Sequence, residues 1–314
     1  MFLLVNPKFV WMNGEFVDWE DATVHVMTPA LHYGIAVFEG IRAYWVEDHW
    51  NIFRLQEHIK RLFYSASVYR LKIAFDVDSI RRGLSDLIRM NNIRRNLYIR
   101  PLVFRSLGGS IASLSSSYDL PTGFSISISL AESILGVEEK FSSYRRFKIS
   151  SWRRPASDAL PIYVKCSANY ANSILAGIEI DEANYDGALM LDSRGFVSEG
   201  VGANLFIVKD GLLITPPASA SILPGITRDA IIHLAEDLDY PLVVRDFTRA
   251  ELYDADEAFL CGTWSEVTPI SEVDGIVFGD GKPGPITRQI AEYYHDVVLG
   301  NVSKYSSWIV SVKP

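Results

Sequence analysis

The chain has 314 residues, enough for two modest domains or one large one. Its 30 Lys and Arg against 38 Asp and Glu give a net charge of −8, which argues against nucleic acid or an anionic membrane as the main partner. At 48% hydrophobic and 22% charged it has the composition of a folded globule, and no apolar run approaches the roughly 18 residues of a membrane span. The first residues, Met1 to Lys8, lack a charged n-region and cleavage site, so the expectation is a cytoplasmic protein. Cys166 and Cys261 offer no disulfide framework, and the histidines at 25, 32, 49, 58, 233 and 295 show no metal-ligand spacing. No metal is expected.

Leu55, Ile59, Leu62, Ala66 and Tyr69 recur at helical spacing and predict a helix over 55–69. Ile80, Leu84, Leu87 and Ile88 predict a second. Strands are expected at 97–104 and 123–130, with a loop at Ser113 to Tyr118 between them. The weakly patterned run 132–140 reads as a linker. It divides the chain into residues 1–131 and 141–314. Strands follow at 146–152, 187–192 and 204–208, the last turning at Lys209-Asp210-Gly211 into Leu212-Leu213-Ile214. A helix capped by Thr227 carries Ile231, Ile232, Ala235 and Leu238 on one face. A buried strand at 257–263 and a helix from Thr287 close the pattern. There is no steady βαβ rhythm, so the fold class is α+β. No GxGxxG or P-loop supports a nucleotide fold.

Lys165 follows the apolar Ile162-Tyr163-Val164 and precedes the small residues Cys166, Ser167 and Ala168. Desolvation there favours a neutral amine, a nucleophile toward carbonyls; the alternative is a snorkelling lysine at a strand end. Glu199 lies in the glycine-rich Ser198-Glu199-Gly200-Val201-Gly202. There it could hold a ring nitrogen protonated or be an exposed loop side chain. Leu223-Pro224-Gly225-Ile226-Thr227 is a turn feeding a helix, suited to a phosphate or simply a capped helix start. Thr263 is either another phosphate donor or part of a strand-end turn. Arg100 interrupts an apolar strand beside Tyr98, to meet a substrate carboxylate or an internal acid. Tyr33-Gly34 and Phe38-Glu39-Gly40-Ile41-Arg42 read as an apolar, aromatic wall that approaches a ligand closely.

Taken together and in this order, these segments resemble the branched-chain amino acid aminotransferases, class IV enzymes dependent on pyridoxal 5′-phosphate (PLP). The match runs through Val37 to Tyr44, Tyr98 to Leu102, Lys165, Asn169-Tyr170, Ser198 to Gly200, Asn204 to Phe206, Leu223 to Arg228, and Gly262-Thr263 with Glu266 to Pro269. The resemblance implies a smaller N-terminal α/β domain and a larger C-terminal pseudo-barrel domain. It implies that Lys165 holds PLP and shuttles a proton, Glu199 pairs with the pyridine nitrogen, and Tyr170 bonds the ring oxygen. Arg61, the Ile226 and Thr227 amides and Thr263 would hold the phosphate. Tyr33, Phe38, Gly40, Arg42, Tyr98, Trp264 and Ser265 would contact substrate, and Arg100 the distal carboxylate of glutamate or 2-oxoglutarate. The implied reaction moves an amino group between L-branched-chain amino acids and 2-oxoglutarate in amino-acid biosynthesis. The implied assembly is a homodimer or higher homo-oligomer whose loop, near Gly108-Gly109, closes the partner's site. A shifted donor range, aromatic or D-amino acids included, and an aminodeoxychorismate lyase-like activity share the same fold.

Two positions depart from the family pattern. Trp264 stands where the family usually has a small residue, and Leu130 to Gly136 lacks the Trp and Tyr often found there. An indole brings roughly 200 Å² of surface, so the two changes read as a volume exchange. Trp264→Ala should therefore alter the ranking of valine, leucine, isoleucine and aromatic donors in a kcat/KM panel. An unchanged ranking would remove the exchange argument.

Overall fold

The computed structural model describes residues 7–108, 121–131, 141 and 143–314. The Ser113 to Tyr118 loop, Gly109 and the 132–140 linker lie outside the described residues. The chain forms two compact units. The first comprises Met1–Ser133, Val164–Ala168 and Val298–Pro314, and the second Ile134–Tyr163 and Asn169–Val297.

In the first unit, β1 (Phe9–Met12) and β2 (Glu15–Asp18) form a hairpin. A short helix α1 (Pro29–Tyr33) precedes β3 (Ala36–Phe38), β4 (Ile41–Val46) and β5 (His49–Phe53). Helices α2 (Leu55–Val68) and α3 (Val77–Asn91) come next, followed by β6 (Leu97–Arg105) and β7 (Thr122–Leu130). The strand order is Ile309–Val312, β5, β4, β6, β7, β1, β2, with β3 beside part of β6. These pairings are all antiparallel. Leu97, Ile99, Pro101 and Val103 are buried along β6, while Tyr98 and Arg100 are half-buried. Side chains two apart share a face of a strand, so the alternation sends Tyr98 and Arg100 to one side together. The apolar stripes of both helices are buried in one core with Ile41, Trp50 and Ile52, as their spacing predicts. The side chain of Asp76 caps α3 by accepting from the Ser79 amide at 2.7 Å.

The second unit contains β8 (Arg146–Arg153), most of α4 (Ser167–Glu182), β9 (Gly187–Leu191), β10 (Val197–Gly200), β11 (Ala203–Lys209) and β12 (Leu212–Thr215). These are followed by α5 (Ile226–Asp237), β13 (Leu242–Val244), α6 (Arg249–Tyr253), β14 (Glu257–Gly262) and β15 (Glu266–Ile270). The short β16 (Glu272–Val273) and β17 (Ile276–Val277) come before α7 (Pro285–Leu299). A ten-stranded sheet runs β13, β12, β11, β10, β9, β8, β16, β17, with β14 joining β11 to β15. Among the described strands only β8–β9, β8–β16 and β12–β13 pair in parallel, consistent with an α+β pattern.

Two helix starts differ from the sequence reading. The N-cap of α5 is Gly225; Thr227 lies inside the first turn, buried, and its side chain does not cap the helix. The buried face of α5 is Thr227, Ala230, Ile231, Leu234 and Ala235, whereas Ile232 and Leu238 are half-buried. α7 begins at Pro285, two residues before Thr287. Its first amides are satisfied by the buried Glu257 carboxylate, which accepts from Ile286 N at 3.1 Å, Thr287 N at 2.8 Å and Thr287 Oγ1 at 2.6 Å.

Gly83 sits inside α3, where glycine costs about 1 kcal/mol relative to alanine. A Cβ there would lie 2.8 Å from Trp11 Cε2 in the core. Overpacking of this kind costs about 1–3 kcal/mol, enough to outweigh the propensity gain. Gly83→Ala should therefore lower the urea midpoint with an unchanged m-value; a raised midpoint would contradict the contact.

Candidate active site

In the first unit the residues predicted to act gather around the β3–β4 connection. The segment 164–168 lies along β3: the Phe38 amide donates to the Lys165 carbonyl at 3.0 Å, and Val37 pairs with Cys166. The Lys165 amide donates to Ser65 Oγ on α2 at 3.3 Å. These bonds fix the backbone of a half-buried Lys165, and its Nζ stands 5.0 Å from the centre of the Phe38 ring. The Arg100 guanidinium lies 4.6 Å from the centre of the same ring and 5.2 Å from that of Tyr98. Its Nη2 donates to the Tyr98 hydroxyl at 3.2 Å, its Nε has no hydrogen-bond partner, and no described carboxylate pairs with it. Among the described residues, the internal ion pair entertained for Arg100 is therefore not formed.

Gly40 and Arg42 flank Tyr98. Arg42 faces Tyr98 in the β4–β6 register, is buried, and lies 5.6 Å from the Tyr44 ring centre. A Cβ on Gly40 would come within 1.9 Å of the Tyr98 hydroxyl, so the phenol's position requires glycine there. Tyr33 is exposed at the end of α1, where Gly34 closes the helix with φ of +66°.

Arg61 is held by a carboxylate. Glu39, fully buried between β3 and β4, accepts from Arg61 Nε at 2.6 Å and Nη2 at 2.8 Å. Its Oε2 also meets His58 Nδ1 at 2.7 Å. His58 and Arg61 are three apart on α2 and so share its face. Burial alone would push the Glu39 carboxyl up. The Arg61 charge and the hydrogen bonds from Arg61 and His58 outweigh that and hold it well below the usual range. Burial, with the Arg61 and Lys165 charges, pushes His58 down against the pull of Glu39.

The second unit gathers the remaining residues. Val201 and Gly202 form the turn between β10 and β11, with Gly202 at φ of +75°. The register places Glu199 opposite Asn204. Glu199 is on a strand and buried, which excludes the exposed-loop alternative. Its Oε2 accepts from Asn204 Nδ2 at 2.9 Å and from the Leu223 amide at 3.1 Å. Its Oε1 lies 3.2 Å from Arg154 Nη2. Asn204 Nδ2 also donates to the Leu223 carbonyl at 2.9 Å, tying this hairpin to the turn before α5. A Cβ on Gly225 would lie 2.0 Å from Asn204 Oδ1, so that turn too depends on glycine. Ile226 and Thr227 occupy the first turn of α5, whose leading amides lack partners within the helix. Thr263 and the exposed Trp264 (47%) form the β14–β15 turn with Ser265, whose carbonyl accepts from Thr268 Oγ1 at 2.7 Å. Tyr170 is half-buried in the first turn of α4.

Sequence reasoning assigned no role to Arg154, Asn204, Glu39 or His58. The i, i+3 spacing of His58 and Arg61 was open to inspection. The Arg154 partner lies 45 positions away and left no local trace.

The amino-transferase class IV family profile matches residues 36–273. A branched-chain-amino-acid aminotransferase of Escherichia coli K12 is 41% identical over 311 residues, 98% of each chain. A branched-chain aminotransferase from Thermoproteus uzoniensis, solved with norvaline, superposes with a TM-score of 0.90 at 40% identity, over 97% of this chain and 99% of that one. A branched-chain amino acid aminotransferase from Thermobaculum terrenum, solved in its PLP form, superposes with a TM-score of 0.90 at 40% identity, over 98% and 99%. With this agreement across nearly the whole length, the chain belongs to the class IV aminotransferases and has their fold.

Proposed function

We infer that this chain is a PLP-dependent enzyme that transfers the amino group of L-leucine, L-isoleucine and L-valine to 2-oxoglutarate, giving 2-oxo acids and glutamate. The observation that carries it is the Phe38 ring with two neighbours, an amine and a guanidinium that meets no described acid. An amine is what a carbonyl cofactor needs, and an arginine without an internal acid is what a dicarboxylic substrate needs.

The donor set fits PLP. Lys165 supplies the amine and Glu199 a buried carboxylate for the ring nitrogen. Arg61, the Ile226 and Thr227 amides and Thr263 supply phosphate donors, and Tyr170 a hydroxyl for the ring oxygen. When bound, PLP supplies an electron sink for the charge left at the substrate Cα. With PLP held there, Lys165 Nζ would be the base that takes the proton from the substrate Cα and the acid that gives it back. We assign Phe38, Gly40, Tyr98, Arg42 and Tyr33 of the first unit, and Trp264 and Ser265 of the second, to the side chain of the donor. Arg100, stacked on aromatic rings, gives one site a charged contact for glutamate and an apolar surface for leucine.

We place the enzyme in the cytoplasm, in amino-acid biosynthesis, as a homodimer or higher homo-oligomer. The exposed Val24, Val26, Met27 and Leu31 support self-association. Among the described residues no helix is long and apolar enough to cross a membrane.

A panel of L- and D-amino acids with 2-oxoglutarate, scored by glutamate formation, tests the reading. Branched-chain L-donors should lead. Pyruvate release from aminodeoxychorismate without transamination would overturn it. Lys165→Ala should abolish both turnover and the visible band of the bound cofactor. Arg100→Met should raise KM for 2-oxoglutarate about tenfold or more while leaving KM for leucine nearly unchanged, since hydrogen bonds to charged groups carry about 1.5–3 kcal/mol.

Acid should loosen the Arg61 support. His58 is pushed down in the folded state, so the unfolded chain binds its proton first and stability falls as pH drops below about 6.5. Glu39 is also held down, so a further loss follows below about 4.3. In urea titrations across pH, His58→Gln should flatten the first decline and leave the second. An equally steep first decline in the variant would assign it elsewhere.

A further inference from the structure

Arg154 is one of the few arginines buried among the described residues, with 6% exposure. It lies just past β8, where its amide donates to the Leu191 carbonyl at 2.9 Å. Every arm of the guanidinium meets a protein group. Nε donates to the Ser221 carbonyl at 3.3 Å, Nη1 to Ser173 Oγ at 3.5 Å, and Nη2 faces Glu199 Oε1 at 3.2 Å. Arg154 therefore meets one oxygen of Glu199 while Asn204 and the Leu223 amide hold the other, Oε2. Two other groups lie near the carboxylate. Arg228 is anchored on Thr215 Oγ1 at 3.1 Å and the Pro216 carbonyl at 3.0 Å, and contributes a more distant positive charge. Burial pushes the Cys261 thiol up to about 12, so it stays neutral and adds no charge.

Resting on the reading of Glu199 as the partner of a pyridine nitrogen, we propose that Arg154 is the positioning residue that keeps Glu199 a carboxylate and so keeps the shared proton on the cofactor's ring nitrogen. A proton between a carboxylate and a pyridine sits on whichever base is stronger. A guanidinium 3.2 Å from Oε1 weakens the carboxylate as a base and leaves the proton on nitrogen. Without Arg154 the buried carboxylate loses its nearest described positive charge and keeps the Asn204 and Leu223 bonds and the more distant Arg228, so it becomes the stronger base and draws the proton to itself. The ring would then lose the positive charge that makes it an electron sink. Arg154 does this without touching cofactor or substrate. Its two remaining bonds, to Ser221 and Ser173, hold the guanidinium in place against Glu199.

The test reads the ring nitrogen directly, by 15N NMR of holoenzyme reconstituted with ring-15N-labelled PLP, together with PLP affinity. Wild type should show a protonated-pyridine resonance. Arg154→Gln should move it toward the unprotonated position and weaken PLP binding about tenfold, as loss of a charge-assisted contact does. Arg154→Lys, a point charge unable to span all three partners, should move it part of the way. Glu199→Gln should move it fully, and adding Arg154→Gln to Glu199→Gln should move it no further. An unmoved resonance in Arg154→Gln, with Glu199→Gln shifted, overturns the proposal alone. A wild type that takes up no PLP, or a Glu199→Gln resonance identical to wild type, overturns the underlying reading of Glu199. If Arg154→Gln fails to fold, Arg154→Lys decides: a partial shift supports the proposal and an unmoved resonance overturns it.

Discussion

A carboxylate taken out of water must be neutralised where it sits or it takes up a proton. Each unit of this chain holds one such group among its candidate site residues or beside them. Glu39 is fully buried and is held by both Nε and Nη2 of Arg61 and by His58. Glu199 is nearly as buried and is held by Arg154, Asn204 and a backbone amide. Neither pair is strong evidence for stability, because desolvation consumes most of the attraction. Their value is directional. A carboxylate with several donors has one orientation, and so does the cation that meets it. Arg61 and Glu199 are the groups the proposed chemistry needs fixed, one toward a phosphate and one toward a ring nitrogen.

The same logic extends to close approach. Gly40 lets the Tyr98 phenol stand where a Cβ would be, and Gly225 does so for the Asn204 amide. In both places a missing side chain allows a polar group to approach the backbone. Tyr98 then steadies Arg100, and Asn204 then steadies Glu199. The sequence suggests that the glycines of the 31–42 segment let the backbone approach a ligand; at Gly40 the group that comes close is a tyrosine on a different strand.

What the sequence disclosed followed from distance along the chain. The stripes of α2 and α3, the alternation of β6 and the β11–β12 hairpin rest on neighbours two to four residues apart, and all are legible in the sequence. Thr227 looked like a cap because threonine often caps, but Gly225 starts that helix. The start of α7 was misplaced because its stabilising carboxylate, Glu257, comes from a strand 28 positions before Pro285. The glycines around Glu199 leave an exposed loop open as an alternative; Gly200 ends the strand that carries Glu199, and Val201-Gly202 make the turn after it. Arg154 carried no signal, since nothing beside it in the chain explains why an arginine should be buried there. The candidate site residues rest on their place in a family pattern. The residues that hold them in position were found only in three dimensions.

An overall charge of −8 and a proposed substrate set of phosphate and carboxylates look opposed. They are reconciled by where the positive charges are committed. Arg61 and Arg154 meet acids inside the protein, so each local pair is near neutral and contributes little long-range field. Arg100 meets no described acid and is flanked by aromatic rings, so its charge is available to a carboxylate and weakly competed for by water. A helix N-terminus attracts an anion through its amides without any net charge. Selectivity for anions at one point therefore needs no positive surface. It needs one cation withheld from internal pairing, and the alternation along β6 that sets Arg100 beside Tyr98 is what withholds it.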